Sequence, residues 1–174
     1  MLFHVSERSD IAHFAPRDPA HGGEPVVWAV DQAHLRNYLV PRECPRVTFF
    51  ATALTSAADR REFLVHTSAV VGIEAGWVDR IGATTLYLYR FTPQGFECRD
   101  AGAGYFVSRA PVTPERVDRI DDVFDALAAT GAHVQITENL WPLHDAVAAS
   151  SLQFSMIRMR NALPRAVHSH HSVP

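Results

Sequence analysis

The pair of side chains best arranged for chemistry lies near the amino terminus, in the run F-H-V-S-E from Phe3 to Glu7. In an extended strand, His4 and Ser6 fall on one side, which sets an imidazole able to exchange a proton beside a hydroxyl. A buried histidine satisfied by a backbone carbonyl fits the same residues. Arg17, Arg42 and Arg46 offer a second chemistry, because a planar guanidinium fork matches an anion bidentately where lysine cannot. Arg42 and Arg46 also flank Cys44 and Pro45, where they fit equally the capping of loop carbonyls or pairing with Glu43. Glu74, at the end of V-V-G-I-E, reads either as a carboxylate facing a cleft or as a partner for Arg80.

Other chemistry-bearing residues read more plainly. Asp121 and Asp122 read as the solvated face of a helix. Trp141-Pro142 reads as packing at a helix start. His168, His170 and His171 fall in a polar terminal stretch with no second shell to fix them, so no metal is expected. No G-x-x-x-x-G-K-[ST] loop is present, which removes a P-loop nucleotidase. Neither G-x-S-x-G nor H-E-x-x-H occurs, which removes the corresponding hydrolases and zinc proteases. The glycines of A-G-A-G, Ala101 to Gly104, are too few for a dinucleotide fingerprint.

The elements that must position these residues are short. Apolar, β-branched and aromatic runs predict strands over 2–6, 25–30, 46–53, 70–74, 84–91, 104–108 and 133–136. Asp31 reads as the N-cap of a short helix that Pro41 stops, and 62–65 as part of another. Thr113 and Pro114 predict the start of a longer helix closed by Gly131, with Val117, Ile120, Phe124 and Leu127 on its apolar face. From 142 to 160 the first half favours helix, and the second fits helix or strand. Short strands with few helices, and no regular strand–helix alternation, predict an α+β domain over 1–163, followed by a flexible tail over 164–174.

Bulk properties agree with one domain. The chain has 174 residues, 47% apolar and 20% charged, with a formal charge of -3. That charge excludes a general nucleic-acid surface, which needs clustered Lys and Arg, and leaves room for a local anion site. No stretch approaches the length of a membrane span, and without a basic run followed by a long apolar core no signal peptide is expected. Cys44 and Cys98, far apart, are expected to be free and buried thiols, in keeping with a cytoplasmic protein. Nothing in the sequence fixes an oligomeric state.

Two resemblances extend this reading. After His4 the chain passes through a proline-containing loop with Arg17, an apolar strand with Trp28, a short helix, and later L-Y-L-Y-R. It then runs through Gly95-Phe96-Glu97 to Y-F-V-S-R-A-P, Tyr105 to Pro111. This order resembles the ADP-ribosyltransferase fold, especially small bacterial members that modify rifamycin, over residues 2–112. The resemblance implies that His4 bonds the ribose of NAD beside Ser6, and that Trp28 stacks on nicotinamide in place of a tyrosine. It implies an acidic catalytic residue at Glu97 or Asp100, and Tyr105 among the residues that bind the cofactor. Val5 stands where that family has glycine. Over nearly the whole chain, V-V-W-A-V-D, Y-L-V-P-R-E-C-P-R-V-T, I-E-A-G-W, L-W-P-L-H-D-A-V and F-S-M-I-R-M-R-N-A resemble a family of uncharacterised bacterial proteins.

Three functional expectations follow. The first is an NAD-dependent ADP-ribosyltransferase or NAD glycohydrolase, its oxocarbenium-like transition state stabilised by a carboxylate and its pyrophosphate held by Arg17, Arg42 or Arg46. The second is a non-catalytic protein that binds a nucleotide or small anion. The third, an RNA 2′-phosphotransferase-like activity, sits poorly with the acidic balance.

Overall fold

A computed structural model describes residues 1–18 and 22–165. Ten strands and four α-helices form one α+β domain of two sheets. The larger sheet contains β1 (Leu2–Ser6), β2 (Val27–Val30), β5 (Leu86–Phe91), β6 (Glu97–Asp100), β7 (Tyr105–Ser108) and β8 (Arg116–Ile120), in the order β6-β7-β2-β1-β5-β8. The smaller contains β3 (Arg46–Phe50), β4 (Ala69–Glu74), β9 (Ala132–Thr137) and β10 (Gln153–Ile157), in the order β10-β3-β4-β9. Neighbours run antiparallel except β4 and β9.

Side-chain alternation divides the apolar residues into three layers. Phe3, Val30, Leu86 and Leu88 of the larger sheet meet Val71 and Ile73 of the smaller in the central core. Leu2, Val27, Ala29 and Tyr89 face the other way and are covered by Phe14 from the amino-terminal loop. Val47, Phe49 and Val70 turn outward beneath α4 (Trp141–Ala148), against Leu140 and Val147. Gly72 permits that last contact. A Cβ there would come within 2.5 Å of a Leu143 methyl and 3.3 Å of the Val47 carbonyl oxygen.

Two features of this frame shape the site. First, β1 is paired with β5 along its length but with β2 only at Phe3↔Val30, so its far edge is unpaired by β2 from His4 onward. Second, the register of β3 with β4 and β10 puts Arg46 and Thr48 on the central-core face together with Ile73, Val71, Ser155 and Ile157. A guanidinium therefore enters the space between the sheets.

Several expected elements need correction. The longer helix predicted from Thr113 is a strand, β8, followed by α3 (Val123–Ala129). Val117, Ile120, Phe124 and Leu127 mimic helical spacing only because a strand and a helix follow each other. The β5 edge takes Arg116–Ile120 as its partner, and Asp122 is the true N-cap, accepting from the Asp125 amide at 2.9 Å. Asp121 instead pairs with Arg119. Asp31 does cap the His34 amide, but only a 3-10 turn at Leu35–Asn37 follows. Helix α1 (Ala57–Phe63) begins earlier than expected, at Ser56, and α2 (Val78–Gly82) was not predicted. Of the ambiguous stretch, the first half is α4 and the second is β10.

Chain ends and cysteines also depart from expectation. Pro164 and Arg165, assigned to the tail, are held by Asn139 and Asp145; the histidines at 168, 170 and 171 lie outside the described residues. Cys44 is buried, and burial pushes its thiol up to about 12, whereas Cys98 is exposed. No helix among the described residues is long and apolar enough to cross a membrane.

Candidate functional site

Where the two sheets part, a cavity of about 550 Å³ opens beside the free edge of β1. Its volume lies within the range of small-molecule sites, roughly 300–1,000 Å³. His4 through Arg8 form one wall, Tyr38, Val40, Arg42 and Arg46 a second, and Tyr105, Ile157 and Arg158 close it. Four arginines thus meet a single carboxylate, Glu7. Its Oε1 accepts from the Arg42 backbone amide at 2.8 Å, and Arg8 is tied to Asp10. The excess positive charge falls on Arg42, Arg46 and Arg158.

Each of these three is held differently. Arg46 is buried at 3% exposure. Its Nε donates to the Asn37 carbonyl at 2.8 Å and its Nη1 to the Cys44 carbonyl at 2.9 Å. No carboxylate among the described residues pairs with it, and Nη2 has no hydrogen-bond partner there. Burial lowers its pKa to about 10. Arg42 is exposed, and its guanidinium bonds no described residue. Arg158 sits in the left-handed region at φ 57°, a conformation unfavourable for a residue with a Cβ. Its Nε is 3.3 Å from Glu43 Oε1, close enough for charge attraction, yet misaligned, and so it stays buried without a hydrogen bond. Glu43 is shared further with Arg160 and Asn161.

His4 enters this site from the side. By register it shares a face with Tyr89, and its ring packs edge-on against Phe14 with centroids 4.9 Å apart. Its Nδ1 lies 3.4 Å from the Trp28 carbonyl oxygen, across the gap between β1 and β2. Burial lowers its pKa, the carbonyl partly opposes this, and the charges of Arg42 and Arg17 lower it further. Ser6 lines the cavity, and its Oγ accepts from the Arg8 amide. Tyr38 and Tyr105 are joined at 2.7 Å between their hydroxyls, and burial raises the Tyr38 pKa.

Of the residues singled out in the sequence, His4, Ser6, Arg42, Arg46 and Tyr105 meet at the cavity. Trp28 does not line it; the indole is 40% exposed and stands edge-on to Tyr105 at 5.7 Å. Arg17 is exposed and acts on His4 only through charge. Glu97 and Asp100 are not brought to the cavity. Both are exposed on the edge strand β6, where Glu97 pairs with Arg109 and Asp100 accepts from the Ala103 amide. Glu74 neither faces a cleft nor pairs with Arg80. It is buried and accepts from the amides of Leu140 and Leu163. Tyr38, Glu7 and the left-handed Arg158 escaped sequence reasoning, since only the closure of the two sheets makes them neighbours. The only signal each carried was its place in a run: Glu7 closes F-H-V-S-E, Tyr38 opens Y-L-V-P-R-E-C-P-R-V-T, and Arg158 lies in F-S-M-I-R-M-R-N-A.

These donors suit the phosphate end of a nucleotide. The carboxylates that NAD cleavage would ask of Glu97 or Asp100 are not beside them. No group of three or more potential metal ligands occurs among the described residues. Comparison with curated proteins finds no match, and neither does comparison with solved structures. The ADP-ribosyltransferase resemblance is therefore carried by none of these comparisons. One family matches, over residues 3–162: the chain belongs to the family of unknown function DUF6886.

Proposed function

We propose that the cavity between the two sheets binds a small phosphorylated ligand, a nucleotide first of all, through Arg42, Arg46 and Arg158. One observation carries this reading: three arginines line one cavity with donor atoms left over, and Glu7 is the one carboxylate in its lining. An uncompensated buried charge is costly, and an anion in this position would offset that cost. Arginine forks supply short, charge-assisted hydrogen bonds to phosphate oxygens. The protein on this reading is a nucleotide- or anion-binding module of the cytoplasm, a setting consistent with two free thiols.

The direct test is a thermal-shift comparison of pyrophosphate, ADP and NAD. A ligand present at about a hundred times its dissociation constant stabilises the native state by about 2.7 kcal/mol. Stabilisation that Arg42→Ala abolishes supports the reading; indifference of the melting temperature to all three anions would overturn it.

Catalysis on NAD is the second reading, and Glu7 is the observation in its favour. This carboxylate lines the cavity within the same short segment as His4. Bound NAD would supply a nicotinamide–ribose bond whose breakage leaves positive charge on the ribose, and Glu7 could stabilise that charge in the role the resemblance gives to Glu97 or Asp100. Nicotinamide released from NAD by the wild type, and not by Glu7→Gln or His4→Ala, would establish it. NAD bound and recovered intact would exclude it and leave the binding module.

A further inference from the structure

A second, smaller cavity of about 180 Å³ shares Tyr105 with the first. It is too small for a whole drug-sized ligand and suits one ring of a larger molecule. Its polar lining differs in kind from that of the arginine cavity. His34 Nδ1 lies 2.7 Å from Asp31 Oδ1, and the same oxygen accepts from the His34 amide at 2.9 Å. A carboxylate only accepts, so Nδ1 carries the proton, and in the neutral tautomer this leaves Nε2 as an acceptor. No described residue bonds that nitrogen. Asn37 also lines the cavity, and its Oδ1 is buried without a partner while the residue is only 3% exposed. The groups left over at these two lining residues are thus acceptors, whereas those left over around the first cavity are donors.

The ring of His34 is held rigidly. Gly104 lies against it at φ 68°, and a Cβ there would fall 2.2 Å from His34 Nδ1 and 2.7 Å from Asp31 Oδ1. The Gly104 carbonyl accepts from the Asp31 amide at 3.0 Å. Phe50 meets the ring edge-on at 5.7 Å. Between the cavities, the hydroxyls of Tyr38 and Tyr105 have two hydrogens, of which one joins them and one remains to donate.

We infer that the two cavities hold one ligand, a phosphorylated sugar whose phosphate lies among the arginines and whose vicinal diol donates to His34 Nε2 and Asn37 Oδ1. Hydroxyls are what buried acceptors select for, since an analogue lacking one leaves its partner unpaired. A phosphate would be repelled by acceptors and stays in the first cavity. This inference rests on the phosphate reading above and deepens it, from an anion to a sugar phosphate with adjacent hydroxyls. A free pentose phosphate and a ribonucleotide share that chemistry.

Calorimetric titration of the full chain with AMP, 2′-deoxy-AMP, ribose 5-phosphate and inorganic phosphate separates the alternatives. The expected result is a ribo ligand bound at least tenfold more tightly than its deoxy analogue. His34→Gln and Asn37→Ser should each shrink that ratio and leave phosphate affinity unchanged. Ribose 5-phosphate matching AMP identifies the free sugar as sufficient; AMP alone showing preference identifies the nucleotide. Phosphate binding with equal affinity for ribo and deoxy ligands overturns the diol site and spares the anion site. No binding of phosphate or of any phosphate ester overturns both. The ribo-to-deoxy comparison needs only the wild-type chain, so a variant that fails to fold does not obscure it.

Discussion

The arginines away from the cavity and those that line it obey opposite rules. Away from the cavity, Arg109 is clamped by Glu24 and Glu97, Arg119 pairs with Asp121, and Arg90 and Arg116 share Asp118. Each has a carboxylate within reach and water to screen what is left. Around the cavity, Arg46 is held by carbonyls through Nε and Nη1 only, Arg158 meets a misaligned, shared Glu43, and the exposed Arg42 has no partner among the described residues. A fold can hold arginines either way. Only the second way leaves charge and donors for something else to use, and that difference separates ion pairs that finish a surface from a site that awaits a ligand.

The contrast breaks most visibly at Arg46. Arg46→Ala orphans the buried carbonyls of Asn37 and Cys44 and should cost about 2 to 6 kcal/mol, since each buried acceptor left unpaired costs about 1–3. Denaturant titration reads this loss. A change under 1 kcal/mol would mean that the carbonyls find water and that Arg46 does not organise the cavity wall.

Arg158 should split stability from binding. Arg158→Gly removes a left-handed residue with a Cβ, so stability should hold or rise by up to about 1 kcal/mol. Pyrophosphate affinity should fall at least tenfold, the loss of one charge-assisted bond being about 1.5–3 kcal/mol. Lost stability with unchanged affinity would make Arg158 a plain structural residue.

His4 gives a smaller, pH-dependent effect. Its pKa is lowered from 6.5, chiefly by burial, so the ring is neutral in the folded chain while the unfolded chain takes up a proton. Its contribution is therefore flat above about pH 6.5 and destabilising as the pH falls from there toward the folded-state value. His4→Gln should flatten that decline in unfolding experiments between about pH 7.5 and 5. A bound anion should raise the His4 pKa and narrow the difference. An unchanged pH profile in the variant would show that the ring is not desolvated.

At the other extreme stands Arg109, whose two carboxylate partners lie in water. Exposed ion pairs contribute little, so Arg109→Ala should leave phosphate affinity as it was. A loss of binding would remove the distinction between the two arginine sets.

How far the sequence carried this account follows the range of the forces involved. Strands such as Leu86–Phe91 and Ala69–Glu74 were legible because alternating or continuous apolar residues record their burial locally. Residues 113–131 were misread because Val117 and Ile120 happen to keep helical step with Phe124 and Leu127, and only the open edge of β5 decides for a strand. The site was half legible. His4, Arg42 and Arg46 could be named from residue type, because a histidine in an apolar strand and arginines around a proline are unusual in themselves. Their convergence with Arg158 depends on β10 pairing with β3 across more than a hundred residues, which nothing local encodes. The Asp31–His34 pair was visible as a cap and nothing more, since Gly104 must arrive from another strand to fix it.

Titration of inorganic pyrophosphate into the wild-type chain, Arg42→Ala, Arg158→Gly and Arg109→Ala by calorimetry tests the central claim most directly. One saturable site is expected in the wild type, weakened at least tenfold by either cavity variant and untouched by Arg109→Ala. No binding by the wild type, or affinities equal across all four proteins, would contradict it.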